Sequence, residues 1–244
     1  IAKGIFKKIH LDSLIIQNES GFTEQIIINF AKKNNIPILL LSHGLSYETL
    51  DPKYHERRIF DGVDPISSSK YLVWGKNQYQ FAKDYGINED KLKIVGSPSH
   101  DILFDKNIKN TDDEYVLLAT SSPTASVVTD LTVDTLEKYE YCVKEICKVV
   151  TNSGKNLIIK LHPFQEELDV TNLVKEISSN IQIIKTGDII PLIKHCSIFL
   201  TIDISTTILE AQIFSKPVIS ISVKNYEWGT PKIFESNSCL TTNI

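Results

Sequence analysis

The stretch Ser197-Ile198-Phe199-Leu200-Thr201-Ile202-Asp203-Ile204-Ser205-Thr206-Thr207-Ile208-Leu209-Glu210-Ala211-Gln212-Ile213-Phe214 decides the fold class, because the pattern changes twice inside it. Residues 197–202 form an apolar run of the length expected for a buried strand. Residues 207–214 repeat apolar side chains at helical spacing, and the polar loop between the two runs is only a few residues long. The next apolar run, 217–221, follows at once behind Ser215-Lys216. Strand, short loop, helix and strand make a βαβ unit, and a chain of such units builds a parallel sheet with helices on its faces.

The alternation extends outward over nearly the whole chain. In the second half, strands are expected at 115–119, 156–161, 181–184, 197–202, 217–221 and 238–242, with helices over 131–150, 167–178, 190–195 and 207–214. In the first half, strands are expected at 11–17, 36–41, 71–73 and 92–95, with helices over 22–33 and 78–85. Residues 99–113 break the pattern with Ser, Asn, Asp and Lys, and read as a linker. The expectation is therefore an α/β protein of two Rossmann-like parallel-sheet domains. Residues 1–98 would be the C-terminal part of the first, which is incomplete, and residues 114–244 the whole of the second. The chain starts at Ile1 with no initiator methionine, which fits a region preceding it.

Composition narrows the class. With 244 residues, 42% hydrophobic and 23% charged, the chain is an ordinary globular protein rather than a disordered or fibrous one. A net charge of −4 supplies no basic field to draw it onto nucleic acid. The longest apolar runs, 36–41 and 217–221, fall far short of the ~20 residues of a membrane span, which leaves peripheral membrane association open. Cys142, Cys147, Cys196 and Cys239 show no metal-ligand spacing and fit buried thiols in a reducing compartment.

In open parallel sheets, ligands bind beyond the carboxyl ends of the strands, where helix N-termini present free amide donors. The residues that follow the strands are Ser42-His43-Gly44, Gly96-Ser97-Pro98, Thr120-Ser121-Ser122, His162-Pro163 with Lys160 just inside, and Asp203 to Thr207. Each also has an ordinary explanation. Thr207 and Glu210 fit a capping box, and His162 fits a structural histidine. The three hydroxyls Ser205, Thr206 and Thr207 exceed what one cap requires and suit a phosphate. Lys160 lies two residues before His162, so both could reach one anion. Gly44 lets the backbone beside His43 approach a ligand closely. His10, His55, His100 and His195 have no such context and read as surface or packing residues. No Gly-x-Gly-x-x-Gly, P-loop or Gly-x-Ser-x-Gly occurs, and no residue pattern calls for a metal.

The ordered set Ile36-Pro37 through Ser42-His43-Gly44, Val73-Trp74-Gly75, Ile94-Val95-Gly96-Ser97-Pro98 with Asp101, Ile158-Ile159-Lys160-Leu161-His162-Pro163 and Thr201 to Ala211 resembles GT-B enzymes of surface-polysaccharide synthesis. It is similar to the CDP-glycerol glycerophosphotransferases and capsule transferases, and also to the UDP-N-acetylglucosamine 2-epimerases. The resemblance implies a GT-B-like fold whose C-terminal domain holds a nucleotide-activated sugar or polyol donor of CDP, CMP or UDP type, with no further cofactor. It implies donor-phosphate contacts from Lys160, His162, Ser205, Thr206 and Thr207, and nucleotide or ribose contacts from Glu210, Gly96, Ser97, Ser121 and Ser122. Catalytic roles fall to His43 as base and to His162, supported by Gly44 and Asp203.

Two departures bear on the choice within this group. The transferases usually carry Arg where this chain has Lys160, and the epimerases carry Asp-Ser-Gly-Gly where it has Asp203-Ile204-Ser205-Thr206. The second departure favours a metal-independent glycosyl- or polyol-phosphate transferase, with a carbohydrate or lipid-linked acceptor. Such an enzyme is expected in the cytoplasm, on the inner face of the membrane. A 2-epimerase-like isomerase and a non-catalytic nucleotide-sugar-binding domain are the alternatives.

Overall fold

The computed structural model describes residues 10–45, 48–104, 115–120, 133–163, 170–223, 230–235 and 239–243. They form two compact units, residues 1–99 and 100–244.

The first unit runs β1 (Leu14–Ile16), α1 (Phe22–Lys33), β2 (Ile38–Leu41), α2 (Pro52–Phe60), β3 (Lys70–Val73), α3 (Lys76–Asp84) and β4 (Leu92–Ile94). Its sheet is parallel, in the order β1-β2-β3-β4. Each connection adds a strand on the same side, so the described residues of this sheet contain no reversal of strand order. Its core joins Ile16, Ile38, Leu40, Tyr71, Val73 and Leu92 of the strands to Ile28 and Ala31 of α1 and Ala82 of α3. The strand expected over 11–17 is confined to Leu14–Ile16, which registers with residues 38–40 of β2.

Helix α2 was not expected, and its sequence shows why. It has no apolar stripe and is built from its ends and its polar side chains. Asp51 caps it by accepting from the Lys53 amide at 2.8 Å, with Pro52 in the first turn. Arg58 Nη2 then pairs with Asp64 Oδ1 at 2.8 Å and donates to the Tyr71 hydroxyl at 3.1 Å. His55 lies 3.2 Å from Asp64 Oδ2, with its ring stacked on Tyr85 at 4.4 Å. Burial opposes the Arg58 charge, but Tyr71 and Asp64 more than offset it and raise its pKa further.

The second unit runs β5 (Tyr115–Ala119), α4 (Val133–Asn152), β6 (Asn156–Lys160), α5 (Thr171–Ile177), β7 (Gln182–Ile184), α6 (Ile190–His195), β8 (Ile198–Ile202), α7 (Thr207–Ile213), β9 (Val218–Ser222) and β10 (Leu240–Asn243). The sheet is parallel throughout, in the order β10-β9-β8-β5-β6-β7. This is the doubly wound arrangement in which the chain builds outward from the first strand, returns, and builds the other way.

Alternation along β5 supplies a core on each face. Val116 and Leu118 join Tyr139, Val143 and Ile146 of α4 and Val174 of α5. Leu117 and Ala119 join Ile193 of α6, Ile208 and Ala211 of α7, and Phe214. The four cysteines are buried thiols. Burial pushes the Cys142 thiol up to about 12 and the Cys147 thiol up to about 11, so both are unreactive packing groups.

Residues 100–104 depart from the linker expectation. A 3-10 turn spans Asp101–Phe104, and its buried Leu103 belongs to the same core cluster as Ile208 and Ala211. The second unit therefore begins well before β5.

Candidate functional site

The strand order of the second unit reverses between β5 and β8, since β5 leads to β6 on one side while β8 returns on the other. At such a reversal the loops after the two strands diverge to opposite faces and leave a crevice at their carboxyl ends. Thr120 follows β5, and Asp203 to Thr207 follow β8. The loop after β6 adds His162, about 10 Å from the β8 loop if strands are spaced regularly with β5 between them.

The crevice has a rigid floor. Thr120 donates its amide to the Lys160 carbonyl at 3.0 Å and accepts the His162 amide on its hydroxyl at 3.0 Å, which ties the ends of β5 and β6. The buried Lys160 ammonium donates to the carbonyls of Leu161 at 2.9 Å and Lys185 at 3.2 Å. Lys160 thus fixes the β6 end to the residue after β7, and its charge acts on the crevice at short range. Burial, and next the Lys160 charge, lower the His162 pKa, so this imidazole is predominantly neutral at pH 7.

Asp203 is a second tie. It adopts a left-handed φ of 58°, tolerated by Asp better than by most residues. Its amide donates to Ile221 at 2.9 Å, its Oδ1 accepts the Val223 amide at 3.0 Å, and its carbonyl accepts the Ser220 hydroxyl at 3.0 Å. The buried carboxylate therefore bends the chain out of β8 and pins it to β9. Asp203→Ala, which loses the Oδ1 acceptor and must keep the strained φ, is expected to destabilise the second unit by about 2 kcal/mol. Asp203→Asn retains an acceptor and should cost less than half of that. Denaturant unfolding measures both, and equal losses would remove the hydrogen bond from the explanation.

Beyond this bend, Ser205 Oγ lies 2.8 Å from Thr207 Oγ1 and 3.4 Å from the Thr207 amide. Thr206 occupies the cap position of α7 without a side-chain capping bond. The helix starts at Thr207, so Thr207 is not its cap, and the capping-box explanation of Glu210 does not apply. Glu210 follows in the same helix. One turn into α7, its side chain is only 18% exposed, and its Oε2 is buried with no hydrogen-bond partner among the described residues. Its Oε1 lies 3.7 Å from His100 Nε2. Burial, reinforced by the Asp188 charge, raises its pKa above the ordinary carboxylate range. A buried acceptor without a partner costs free energy, which a donor from a bound ligand would offset.

In the second unit, then, the structure gathers Lys160 and His162 at the β6 end, and Asp203, Ser205, Thr206, Thr207 and Glu210 at the β8 end. Ser121 and Ser122 lie outside the described residues. The remaining candidates belong to the first unit. His43 is exposed after β2, and Gly44 follows with a φ of 80° and a carbonyl that accepts from Gln78 at 3.4 Å. Gly96 has a φ of 80° after β4, and Ser97 Oγ lies 3.1 Å from Ser99 Oγ.

Sequence reasoning missed His100, which is buried against Glu210 rather than a plain packing histidine. No local signal could have found it, because the contact joins residues more than a hundred positions apart. Among the described residues, no group of three or more His, Cys, Asp or Glu is placed to hold a metal ion, and no helix is long and apolar enough to cross a membrane.

No protein-family model matches the chain, and no curated protein sequence matches it. Solved structures do match. UDP-GlcNAc 2-epimerase from Neisseria meningitidis bound to UDP-GlcNAc superposes with a TM-score of 0.64 at 16% identity, over 98% of this chain and 66% of that one. MnaA from S. aureus with UDP gives 0.59 at 15% identity, over 90% of this chain and 60% of that one. Os79 from O. sativa with UDP gives 0.58 at 13% identity, over 96% and 63%. The chain spans about 60% of the length of S. aureus MnaA and of the UDP-N-acetylglucosamine 2-epimerase from Rickettsia bellii that it matches. At these identities the likeness establishes the fold, which is of GT-B type: two Rossmann-like parallel-sheet units, the first the smaller.

Proposed function

We propose that the second unit binds a nucleoside diphosphate-activated donor at the β5/β8 reversal, and that the chain transfers the activated sugar or polyol-phosphate group to a hydroxyl acceptor. The observation that carries this reading is Glu210, a partly buried carboxylate whose buried Oε2 has no hydrogen-bond partner among the described residues. The hydroxyls of a ribose are donors of the kind it lacks, and a hydrogen bond to an ionised acceptor is among the stronger ones. Three neighbouring structures carry UDP or UDP-GlcNAc, which supports a nucleotide ligand.

In this reading Ser205, Thr206 and Thr207 face the donor phosphates, and neutral His162 offers them one N–H, with the Lys160 charge behind it. Gly96, Ser97, Ser121 and Ser122 are the further nucleotide contacts that the resemblance implies. The acceptor oxygen forms a bond to the donor's anomeric carbon or phosphorus as the bond from that atom to the leaving phosphate oxygen breaks. The leaving nucleotide keeps the electron pair and the added charge. The acceptor's proton goes to a base, for which His43 is the candidate. A surface-polysaccharide role, with a carbohydrate or lipid-linked acceptor and a protein resting on the inner membrane face, follows from the same resemblance.

A second reading, UDP-GlcNAc 2-epimerisation, is favoured by the solved epimerases among the neighbours. Incubation with UDP-GlcNAc alone separates the two, since only an epimerase converts it without an acceptor. The primary test is thermal shift and calorimetry with CMP, CDP, UDP and GDP. One of these nucleotides is expected to raise the unfolding temperature, and absence of binding by all four at millimolar concentration would overturn the reading. Binding without turnover on any acceptor would instead mark a non-catalytic binding domain.

His162→Ala supplies a further check. Loss of one donor to a developing phosphate charge should lower turnover on the order of 100-fold. Its half-buried ring leaves the unfolding temperature nearly unchanged. Full activity in this variant would remove His162 from the mechanism.

A further inference from the structure

His100 stands in the segment that sequence patterning assigns to a linker, yet it is buried within the second unit. Two features hold it there. The His100 carbonyl accepts the Leu103 amide at 2.9 Å, closing a tight turn. Leu103 then enters the core cluster that contains Ile208 and Ala211, the residues of α7 that flank Glu210. The turn that carries the imidazole is thereby docked on the helix that carries the carboxylate.

The two carboxylate oxygens of Glu210 differ in their surroundings. Oε1 lies 3.7 Å from His100 Nε2, a contact beyond hydrogen-bond distance, whereas Oε2 is buried with no hydrogen-bond partner among the described residues. The terminal torsion of a glutamate is broad, so the carboxylate of a free side chain sweeps through many orientations. A ring packed beside one oxygen narrows that sweep and aims the other. We infer that His100 is a positioning residue for Glu210: its imidazole, seated by Leu103, restrains Oε1 and leaves Oε2 as a fixed acceptor for the hydroxyls of a vicinal diol, the ribose of the bound nucleotide.

Burial lowers the His100 pKa, so near neutral pH the ring is predominantly neutral and does not compensate the carboxylate with a full charge. The neighbouring Asp101 charge acts in the opposite direction. His100 therefore organises the acceptor without saturating it. A preorganised acceptor binds its ligand more tightly because less freedom is lost when the complex forms.

This inference rests on the assignment of Glu210 to the ribose, and the experiment separates the two. Dissociation constants are measured by calorimetry for UDP and its dideoxyribose counterpart, and for the corresponding CDP pair, on the full chain. The proteins are wild type, Glu210→Gln, His100→Phe, which keeps a ring in the core, and His100→Gln, which keeps an N–H. Circular dichroism confirms that each is folded.

Wild type should prefer the ribose form on the order of 10- to 100-fold, as expected for hydrogen bonds to a charged acceptor. His100→Phe should reduce that preference about tenfold, and His100→Gln should recover part of it. A His100→Phe variant that keeps the wild-type preference while Glu210→Gln loses it would overturn the role of His100 and leave the ribose assignment standing. A wild type with no preference would overturn both. Equal weakening of ribose and dideoxyribose forms in the two His100 variants would mark a purely structural residue and also overturn the inference.

Discussion

Replacing Glu19 with Ala should unfold the first unit at markedly lower denaturant, with a loss of about 3 kcal/mol. Glu19 is 1% exposed, and its carboxylate is the centre of a loop clamp. Oε2 accepts the amides of Ile66 at 3.1 Å and Ser67 at 2.6 Å, while Oε1 accepts the Ser68 amide at 2.9 Å and the Ser68 hydroxyl at 2.5 Å. These donors lie in the segment that leads into β3, nearly fifty residues away in sequence.

The clamp is closed from behind by the Glu19 amide, which donates to the Gly62 carbonyl at 2.7 Å. Gly62 has a φ of 71°, and a Cβ there would lie 2.3 Å from the Ser20 amide nitrogen, so no side chain fits. In the Ala variant the Ser68 amide is left buried without an acceptor, and the partly buried Ile66 and Ser67 amides must find water. Glu19→Gln should recover about half of the loss, since its carbonyl can still serve Ile66 and Ser67 while the Ser68 hydroxyl rotates to accept from its NH2 group. Hydrogen exchange gives the local readout. Amides 66–73 should exchange faster in the Ala variant while β5 keeps its protection, and unchanged exchange at 66–73 would contradict the clamp.

This clamp also shows where sequence reading stops. Parallel strands buried on both faces announce themselves, so β5 is expected and found at residues 115–119, and α1 at residues 22–33. The β8 loop and α7 are legible for the same reason: an apolar run, a polar bend and a helical pattern follow one another without a gap. Polar scaffolding leaves no such trace. Helix α2 lacks an apolar stripe because Arg58, Asp64 and Tyr71 hold it, and only the Asp51-Pro52 start marks it locally.

The candidate site divides along the same line. Hydroxyls after a strand can be located from pattern alone, and the resemblance adds roles for His162 and Glu210. What neither supplies is the state of each group. That Lys160 is spent on two carbonyls, that Asp203 bends the chain, and that Glu210 is left with an open oxygen depend on partners brought in by the fold.

Glu210→Gln should separate stability from binding. In the empty protein the carboxylate is costly, because burial and the Asp188 charge both disfavour ionisation. Its folded pKa is therefore raised above the unfolded value, and between the two values the folded state holds the additional proton. Stability of the second unit then falls as pH rises from about 4.3, the ordinary glutamate value, through the raised folded value, above which the loss is complete. Glutamine carries no such proton. The variant should match or exceed wild type near pH 7, and its advantage should shrink as the pH is lowered toward 4. Nucleotide affinity should move the opposite way, with a loss on the order of 10- to 100-fold as the charged acceptor is replaced by a neutral one. Thermal unfolding across that pH range, paired with calorimetry on the same samples, measures both. A variant less stable than wild type at pH 7 would show that Glu210 is a structural carboxylate. A variant more stable but equally tight in binding would show that its open oxygen does not meet the ligand. Only the combination, a gain in stability with a loss in affinity, is the behaviour of a group kept for binding at the expense of the fold.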